Sequence, residues 1–551
     1  MNHLDNQIFS IRMSSDPATV PHDAEKSVPK PDFSSSEEED NYHQSKEKYA
    51  NSLTDIPSPS HDEEEVVLSP SELRTLKLKS VFFFLVSGIA FGAQAMDKSV
   101  TSAGSVMGLR KASPFGLNMV GDMFSWVNIS YWIGYVVTNV PFSIFLLEKI
   151  GASYNGLVLA SAGAIVACSG ASQNYAGYIA TRTLLGITQT VCEPTVAITI
   201  HQWTHGGNHY GWALTWIVWN GVGQLFLQAL GYGLYRHGHK TKQHDYGIYS
   251  IQPWRIFFII VGLMTAIYGL IFYFFVPNSP QDCRYMNEKE KAYMRQKTVN
   301  RLNRPFHRIN VKYHQVLEAF TTGFHHSFLL FVALFVNAIN GSAVNTFTNI
   351  WLKDFISQAH PHLSSVESNE QSLLYGMIAP AIKMVLATII SIASLNGLFR
   401  NYRCVYVIFF MVIHLIATCL LAYGPTPYVR YGGLFLYNPT VEVAHAGMFS
   451  IVASNTCGLS KKITVNGLLL IAQGVGGCIG PKIFANVPKQ SGSRAAAMVA
   501  LSAVSLFCLS VLFISFFIEN KIRDKKNQKL PAGTDRLQLT DREDVEFRYH
   551  L

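Results

Sequence analysis

Charged residues are scarce in this chain. Asp, Glu, Lys and Arg make up 15% of its 551 residues, whereas soluble domains typically carry about 25%. Hydrophobic residues make up 49% and are grouped in long runs, many of them near the ~20 residues with which a helix crosses a bilayer. The composition therefore excludes an ordinary soluble protein and predicts a polytopic membrane protein.

The short motifs of several other protein classes are also missing. The sequence has no Gly-x-Ser-x-Gly, no His-x-x-x-Asp, no metal-ligand cluster and no Gly-x-x-x-x-Gly-Lys loop for a nucleotide phosphate. Its eight cysteines show no disulfide or metal spacing. We therefore predict no catalytic residue, no cofactor and no metal, although a multi-spanning enzyme stays an alternative. The net charge of +8 does not indicate nucleic-acid binding, because the basic residues lie in short loops beside the apolar runs.

We predict twelve transmembrane helices in two six-helix halves, residues 73–276 and 326–518. The predicted spans cover residues 80–97, 125–147, 151–171, 175–203, 209–234, 254–276, 326–352, 372–396, 402–423, 429–454, 462–485 and 494–518.

Three polar segments flank these halves. Residues 1–72 are rich in Ser, Pro and Glu and are predicted to be a disordered tail, either a plain solvated tail or one used in trafficking. Residues 277–325 form a basic linker, and residues 519–551 form a C-terminal tail. Lys and Arg are concentrated in the linker and next to the first and last spans, which predicts that all three segments are cytoplasmic. The bases around Arg236 are a local exception.

Six spans, a basic linker and six more spans are the layout of the major facilitator fold. The predicted fold class is therefore an all-α membrane protein in which substrate binds near the midplane between two halves. Polar side chains within the spans are candidates for hydrogen bonds to substrate, with contacts between helices as the alternative. They are Asn220, Gln224, Asn345 and Gln473. Trp219 and Tyr375 are candidates for aromatic cavity walls, or for helix packing.

Span four carries two charges within an apolar run. A charge in the middle of a membrane costs from a few to more than ten kcal/mol, so we expect Arg182 and Glu193 to be paired, hydrated or functional. A guanidinium offers a planar fork to a carboxylate. We therefore predict that Arg182 binds an anionic substrate, with a structural ion pair to Glu193 or Asp97 as the alternative. Asp97 and Glu193 are candidates for proton coupling.

Several longer motifs resemble those of the fungal allantoate permease family, the anion–cation symporters of the major facilitator superfamily. The similarity covers residues 70–551. The motifs are Met96-Asp97-Lys98-Ser-Val-Thr-Ser-Ala-Gly-Ser-Val-Met107-Gly108-Leu109, Ser125-Trp126, Tyr131-Trp-Ile-Gly134-Tyr135, Arg182-x-x-Leu-Gly186 with Pro194, Trp219-Asn220-Gly221-x-Gly223-Gln224, Trp254-Arg255, Phe275-Val-Pro277-Asn-Ser-Pro280, Ser460-Lys461-Lys462 and Phe547-Arg-Tyr-His-Leu551.

The resemblance implies proton-coupled import of a small organic anion across the plasma membrane by a monomer. Allantoate, ureidosuccinate or a dipeptide-like carboxylate is the expected substrate. The alternatives are a vitamin or sulfur anion (nicotinate, pantothenate, biotin, cysteine or a sulfonate), a sensor without net transport, or an internal membrane as the location. The chain departs from the family at Gln189, where relatives carry a glutamate seven residues after the arginine. The resemblance then implies that proton coupling has moved to Glu193 or elsewhere, or that the coupling itself differs from that of the relatives.

Overall fold

The structure is a computed structural model that describes most of the chain after the N-terminal tail. The described residues are 68–112, 115–149, 153–190, 192–193, 203, 209–240, 252–278, 280–302, 313–321, 324–397, 402–484, 493–526, 530 and 539–551. Residues 1–67 of the predicted tail and Pro194 of span four lie outside them.

Regular structure in the described residues is helical. The α-helices are α1 (Pro70–Gly104), α2 (Met123–Lys149), α3 (Tyr154–Ala171), α4 (Tyr175–Gln189), α5 (His209–Lys240), α6 (Pro253–Phe275), α7 (Glu288–Leu302), α8 (Tyr313–Phe320), α9 (Phe324–Ala359), α10 (Ser365–Tyr375), α11 (Ile378–Leu395), α12 (Arg403–Tyr423), α13 (Pro427–Asn455), α14 (Leu459–Ile483) and α15 (Ser493–Lys526).

These helices account for every predicted span. Helices α1 to α6 match the first six, α10 and α11 together form the eighth, and α9 and α12 to α15 form the rest. Eight of the resulting segments are long and apolar enough to cross a membrane by themselves. Helices α2, α4, α5 and α13 fall outside this set. They carry amide, aromatic and charged side chains, as expected where a helix faces other protein rather than lipid.

Helix α1 is longer than the sequence predicts. It starts with a capping box, in which the Ser69 and Glu72 side chains each bond the other residue's backbone N–H. The predicted end was Asp97, but the helix continues to Gly104 and then into a π-helical turn at Ser105–Leu109. The polar residues beyond Asp97, which look like a loop in the sequence, are buried and hydrogen-bonded to other helices.

Small residues let the helices of the N-terminal half approach closely. Gly92 of α1 lies against Gly223 of α5, and a Cβ atom at Gly223 would collide with the Gly92 carbonyl. Gly186 of α4 likewise lies against the backbone of α2 at Tyr131. Backbone contact of this kind is common between membrane helices, where dispersion rather than the hydrophobic effect holds helices together.

The two halves meet along two helix pairs. Helix α5 packs against α11, where Ser391 Oγ donates a hydrogen bond to the Gly211 carbonyl (2.8 Å). Helix α2 packs against α14, where Gly477 lies under the Trp132 ring. Between these seams, α1 faces α9, and α5 also contacts α13. The halves therefore enclose a central region that both contribute to.

The last residues of the chain pack against the C-terminal half. Tyr549 stacks on Phe516 of α15, with 4.6 Å between the ring centroids. The buried ammonium of Lys461, in the Ser460-Lys461-Lys462 motif, pairs with Asp541 (2.7 Å) and with Glu318 of α8 (2.9 Å). This motif lysine thus fastens the C-terminal segment to the bundle.

Candidate functional site

A small polar cavity of about 30 Å³ lies between the two halves. Helices α1 and α5 form one wall, and α9, α11 and α13 form the other. Its polar lining residues are Ser99, Ser102, Gln224, Gln228, Asn345, Thr348, Asn349 and Asn438. A cavity of this size holds a few water molecules, so the two halves are nearly closed around it in this conformation.

The cavity wall is rich in amides, and some of their oxygen atoms are free. Gln224 Nε2 donates to Ser99 Oγ (3.4 Å), and Asn349 Nδ2 donates to Ser102 Oγ (3.3 Å). The Oδ1 atom of Asn349 and the Oε1 atom of Gln228 are buried without a hydrogen-bond partner. A buried unsatisfied acceptor costs about 1–3 kcal/mol, so these two oxygens are suited to accept N–H groups from a bound solute.

A lysine lies beside the cavity, and it was not among the predicted site residues. Lys383 of α11 is only 1% exposed. Its ammonium donates to Asn220 Oδ1 (2.6 Å) and to Gln224 Oε1 (2.7 Å), both on α5 of the other half. The predicted site residues Asn220 and Gln224 are therefore brought together by this lysine, and Gln224 also faces the cavity.

Arg182 lies within the N-terminal half, away from the cavity lining. It is 3% exposed, its Nη1 donates to the Asp97 backbone carbonyl (3.2 Å), and Nε and Nη2 donate to the Tyr178 hydroxyl (3.4 Å each). Its charge also attracts the Asp97 carboxylate. Of the alternatives drawn from the sequence, this geometry favours a structural contact with Asp97 in the conformation described.

Asp97 is fully buried and bonded on both carboxylate oxygens. Thr265 Oγ1 donates to Oδ1 (3.1 Å), and Gln189 Nε2 donates to Oδ2 (3.3 Å). Gln189, which departs from the family pattern, also accepts a hydrogen bond from the Tyr131 hydroxyl (2.9 Å). An amide at position 189 can donate to Asp97, whereas a carboxylate there would repel it.

Glu193 pairs with Lys98, the residue that follows Asp97 in α1. The two charged atoms are 3.0 Å apart, and the side chains are 16% and 18% exposed. The Tyr135 hydroxyl donates to the other Glu193 oxygen (2.9 Å). Consecutive residues of a helix point in directions about 100° apart, which lets Asp97 and Lys98 contact different neighbours. Lys98 also directly precedes Ser99 of the cavity wall.

The remaining predicted residues have separate locations. Asn345 lines the cavity, where its Oδ1 is 3.5 Å from Ser99 Oγ. The Trp219 indole packs against Gly88 of α1, which fits the packing alternative. Tyr375 makes an edge contact with Tyr431 (6.2 Å between centroids), next to Gly376 of the cavity lining. Gln473 is half-buried in α14, outside that lining.

The sequence contains a signal for one of the missed residues. Lys383 is the single charged residue in the predicted span 372–396, so the argument that selected Arg182 applies to it equally. Gln228, Asn349 and Asn438 are harder to select, because polar amides occur in several spans and the sequence does not say which of them face the same space.

A helical membrane bundle of two halves, with a polar cavity and buried charges between them, defines a secondary transporter. The sequence profile of the Major Facilitator Superfamily matches residues 73–481. The chain belongs to this superfamily, which confirms the predicted fold class and makes the protein a transporter rather than an enzyme.

Two relatives extend over nearly the whole chain. An uncharacterised transporter of Schizosaccharomyces pombe is 28% identical over 89% of this chain and 94% of its own. The allantoate permease of Saccharomyces cerevisiae is 28% identical over 88% of each chain. The resemblance to the fungal allantoate permease family is thereby confirmed.

Solved structures show the same fold. The xylose transporter XylE from E. coli superposes with a TM-score of 0.53 at 13% identity, over 79% of this chain and 98% of that one. A bacterial homologue of the human lysosomal transporter Spinster, in an inward-facing occupied conformation, gives 0.51 at 12% identity, over 82% and 99%.

Proposed function

We propose that this transporter imports a small organic anion together with protons across the plasma membrane. The substrate is a carboxylate such as allantoate, ureidosuccinate or a dipeptide. The working unit is a monomer, with both termini in the cytoplasm. The similarity to allantoate permease supports this choice of substrate over a vitamin or sulfur anion.

The observation that carries the proposal is the Lys98–Glu193 ion pair beside the cavity. Its side chains are partly exposed, so water and protons can reach it. When Glu193 takes up a proton, it loses its charge and Lys98 loses its counter-ion. The freed ammonium then favours an anion nearby, because a buried cation is strongly stabilised by an opposite charge.

This exchange links the two substrates. A proton on Glu193 and an anion near Lys98 together leave the net charge of the site unchanged, so the pair can cross together. Without both substrates the site holds the Lys98–Glu193 ion pair. With only the proton or only the anion, the site carries an unpaired charge. Asp97, whose backbone carbonyl accepts a hydrogen bond from Arg182 and whose carboxylate is buried, is a further candidate for carrying a proton.

Uptake into vesicles tests this function. Purified protein in liposomes should accumulate labelled allantoate or ureidosuccinate when the outside is more acidic than the inside. A protonophore should abolish accumulation, because it dissipates the proton gradient. Uptake that is equal with and without the gradient would contradict proton symport. A protein that accumulates none of the tested anions would act as a sensor or carry another solute.

A further inference from the structure

In the central part of the described bundle, the buried ammonium of Lys383 is bonded to two side-chain amides of the other half rather than to a carboxylate. Lys98 pairs with the Glu193 carboxylate at 3.0 Å, and Arg182 donates to the Asp97 backbone carbonyl (3.2 Å) while the Asp97 carboxylate attracts it from farther away. The described residues place no Asp or Glu oxygen within 4.0 Å of the Lys383 ammonium. Glu442 of α13 attracts it only from a greater distance.

The neutral partners of Lys383 leave its charge uncompensated. An ammonium group has three N–H donors, and two of them bond the amide oxygens of Asn220 and Gln224. These bonds hold the ammonium in place but add no negative charge. A buried charge without a counter-ion is costly, and a charge within a membrane helix typically marks a substrate or ion pathway.

The position of Lys383 connects it to the cavity. Ala379 and Pro380, one helical turn before it in α11, line the cavity, as does its partner Gln224. An anion in the cavity could take the place of the Gln224 amide at the Lys383 ammonium. It would then still lie against the part of the cavity wall that Gln224 and Pro380 form. The lysine also bridges α11 of one half to α5 of the other, so a ligand on it contacts both halves.

We propose, building on the function proposed above, that Lys383 makes the direct contact with the carboxylate of the transported anion, whereas the freed Lys98 attracts the anion without bonding it. Asn220 and Gln224 hold the Lys383 ammonium ready between turnovers. The free oxygens of Gln228 and Asn349 then accept N–H groups at the other end of the solute. This arrangement fits a carboxylate that carries ureido or amide N–H groups better than one without such donors.

The test measures uptake by full-length protein in liposomes, with labelled allantoate as the probe. Lys383→Gln should raise KM by at least about tenfold, since a tenfold change in affinity corresponds to about 1.4 kcal/mol, close to the lower end of what a charge-assisted hydrogen bond contributes. Lys383→Arg should recover part of the affinity. Lys521→Gln, at an exposed lysine of α15, is the matched control and should leave KM unchanged.

A second variant keeps the lysine and supplies the missing counter-ion. Gln224→Glu places a carboxylate where an amide oxygen now lies 2.7 Å from the ammonium. This internal carboxylate should compete with the substrate and reduce uptake at least about tenfold, while an improved ion pair keeps the protein folded. It therefore tests the assignment even if Lys383→Gln fails to fold.

Ligand-induced stabilisation gives an independent readout. Allantoate should raise the melting temperature of the wild-type protein, because a ligand that binds the folded state stabilises it. The same concentration should have little effect on Lys383→Gln or Gln224→Glu. If the wild type is active and both variants show a normal KM and a normal thermal shift, the role assigned to Lys383 is wrong, while the proposed function is not affected. A wild-type protein that neither binds nor accumulates allantoate and ureidosuccinate would instead contradict the proposed function itself, and this assignment with it.

Discussion

Proton coupling is proposed to depend on the carboxyl group of Glu193. Glu193→Gln removes the titratable group but keeps one carbonyl oxygen, which can accept from either Tyr135 or Lys98. We expect accumulation driven by a proton gradient to be lost. Exchange of internal for external labelled anion should persist, because exchange moves no net proton. Both rates can be measured in the same liposomes.

Glu288→Gln is a suitable control for this experiment. The Glu288 side chain is 90% exposed at the start of α7, where it pairs only with Lys291. This variant should show wild-type accumulation and exchange. A Glu193→Gln protein that still concentrates the anion under a proton gradient would move the coupling to Asp97 or elsewhere.

The contacts of Arg182 depend on the planar shape of its guanidinium. Three nitrogens of its planar guanidinium reach the Asp97 carbonyl and the Tyr178 hydroxyl, and the compact ammonium of lysine does not have this fork-like geometry. Arg182→Lys should therefore remain in the membrane yet lose most uptake, by at least about tenfold if one charge-assisted bond is lost. Uptake and the amount of protein in the membrane should be measured together.

The exposed Arg74, near the start of α1, provides the comparison. Arg74→Lys should behave like the wild type. Normal uptake by Arg182→Lys would assign Arg182 to structure rather than to transport.

At this scale the sequence identifies which residues are unusual but not which residues they contact. Asp97, Arg182 and Glu193 all stand out as charges within apolar runs. Their partners depend on how separate helices are rotated about their axes, and a single sequence does not define this. Glu193 thus pairs with Lys98, which looks like the end of a span, and Lys383 escapes notice although it lies beside the cavity.

Among the helices, the contact between α1 and α5 depends on glycine at one position. Gly223→Ala should destabilise the protein by about 1–3 kcal/mol, the typical cost of overpacking a tight interface. The added methyl group would collide with the Gly92 carbonyl, and backbone cannot move aside as a flexible side chain can. The melting temperature of detergent-purified protein measures the effect.

The same helix offers a matched control at Gly233. No atom lies within 4 Å of the position that a Cβ would take there. Gly233→Ala should be neutral or slightly stabilising, because alanine has a higher helix propensity than glycine. Equal melting temperatures for the two variants would mean that α1 and α5 are less closely packed than described.

Helix boundaries show where prediction from hydrophobicity ends. The apolar runs place a described helix in each of the twelve predicted spans, and eight of these segments are apolar enough to cross a membrane, because lipid requires long stretches of apolar side chains. They fail at the end of α1, since Thr101 and Ser102 look like loop residues but bond Tyr178 and Asn349 inside the bundle. Residues that face the protein interior do not carry the hydrophobic signal.

At the scale of the whole molecule, polar contacts hold the two halves together at one end. Two ion pairs connect the halves at the end predicted to be extracellular. Arg236 of α5 pairs with Glu370 of α10 (3.4 Å), and Lys482 of α14 pairs with Asp122, just before α2. Asn369 also donates to the Tyr235 hydroxyl (3.0 Å) at this end. In this conformation the halves are therefore joined there by polar contacts.

Such contacts are suited to opening and closing. Exposed ion pairs contribute only about 0.2–1 kcal/mol each, so they bias a conformational equilibrium without fixing it. The loss of about 1 kcal/mol changes the ratio of two conformations roughly fivefold. Reversing one charge should have a larger effect than removing it, because repulsion replaces attraction.

Charge reversal at Lys482 and Asp122 tests whether this end opens during transport. Lys482→Glu or Asp122→Lys alone should favour separation of the halves at this end, and the two together should restore the contact. A cysteine in place of Asn438 in the cavity wall would report opening through its reaction with a membrane-impermeant maleimide added outside the cell. The protein without the Asn438 substitution gives the background rate of maleimide labelling, because it has eight cysteines of its own. We expect faster labelling in each single reversal and near-parental labelling in the double variant. If the single reversals label no faster than the parent, this end does not open through that ion pair, and the path from the outside to Lys383 lies elsewhere.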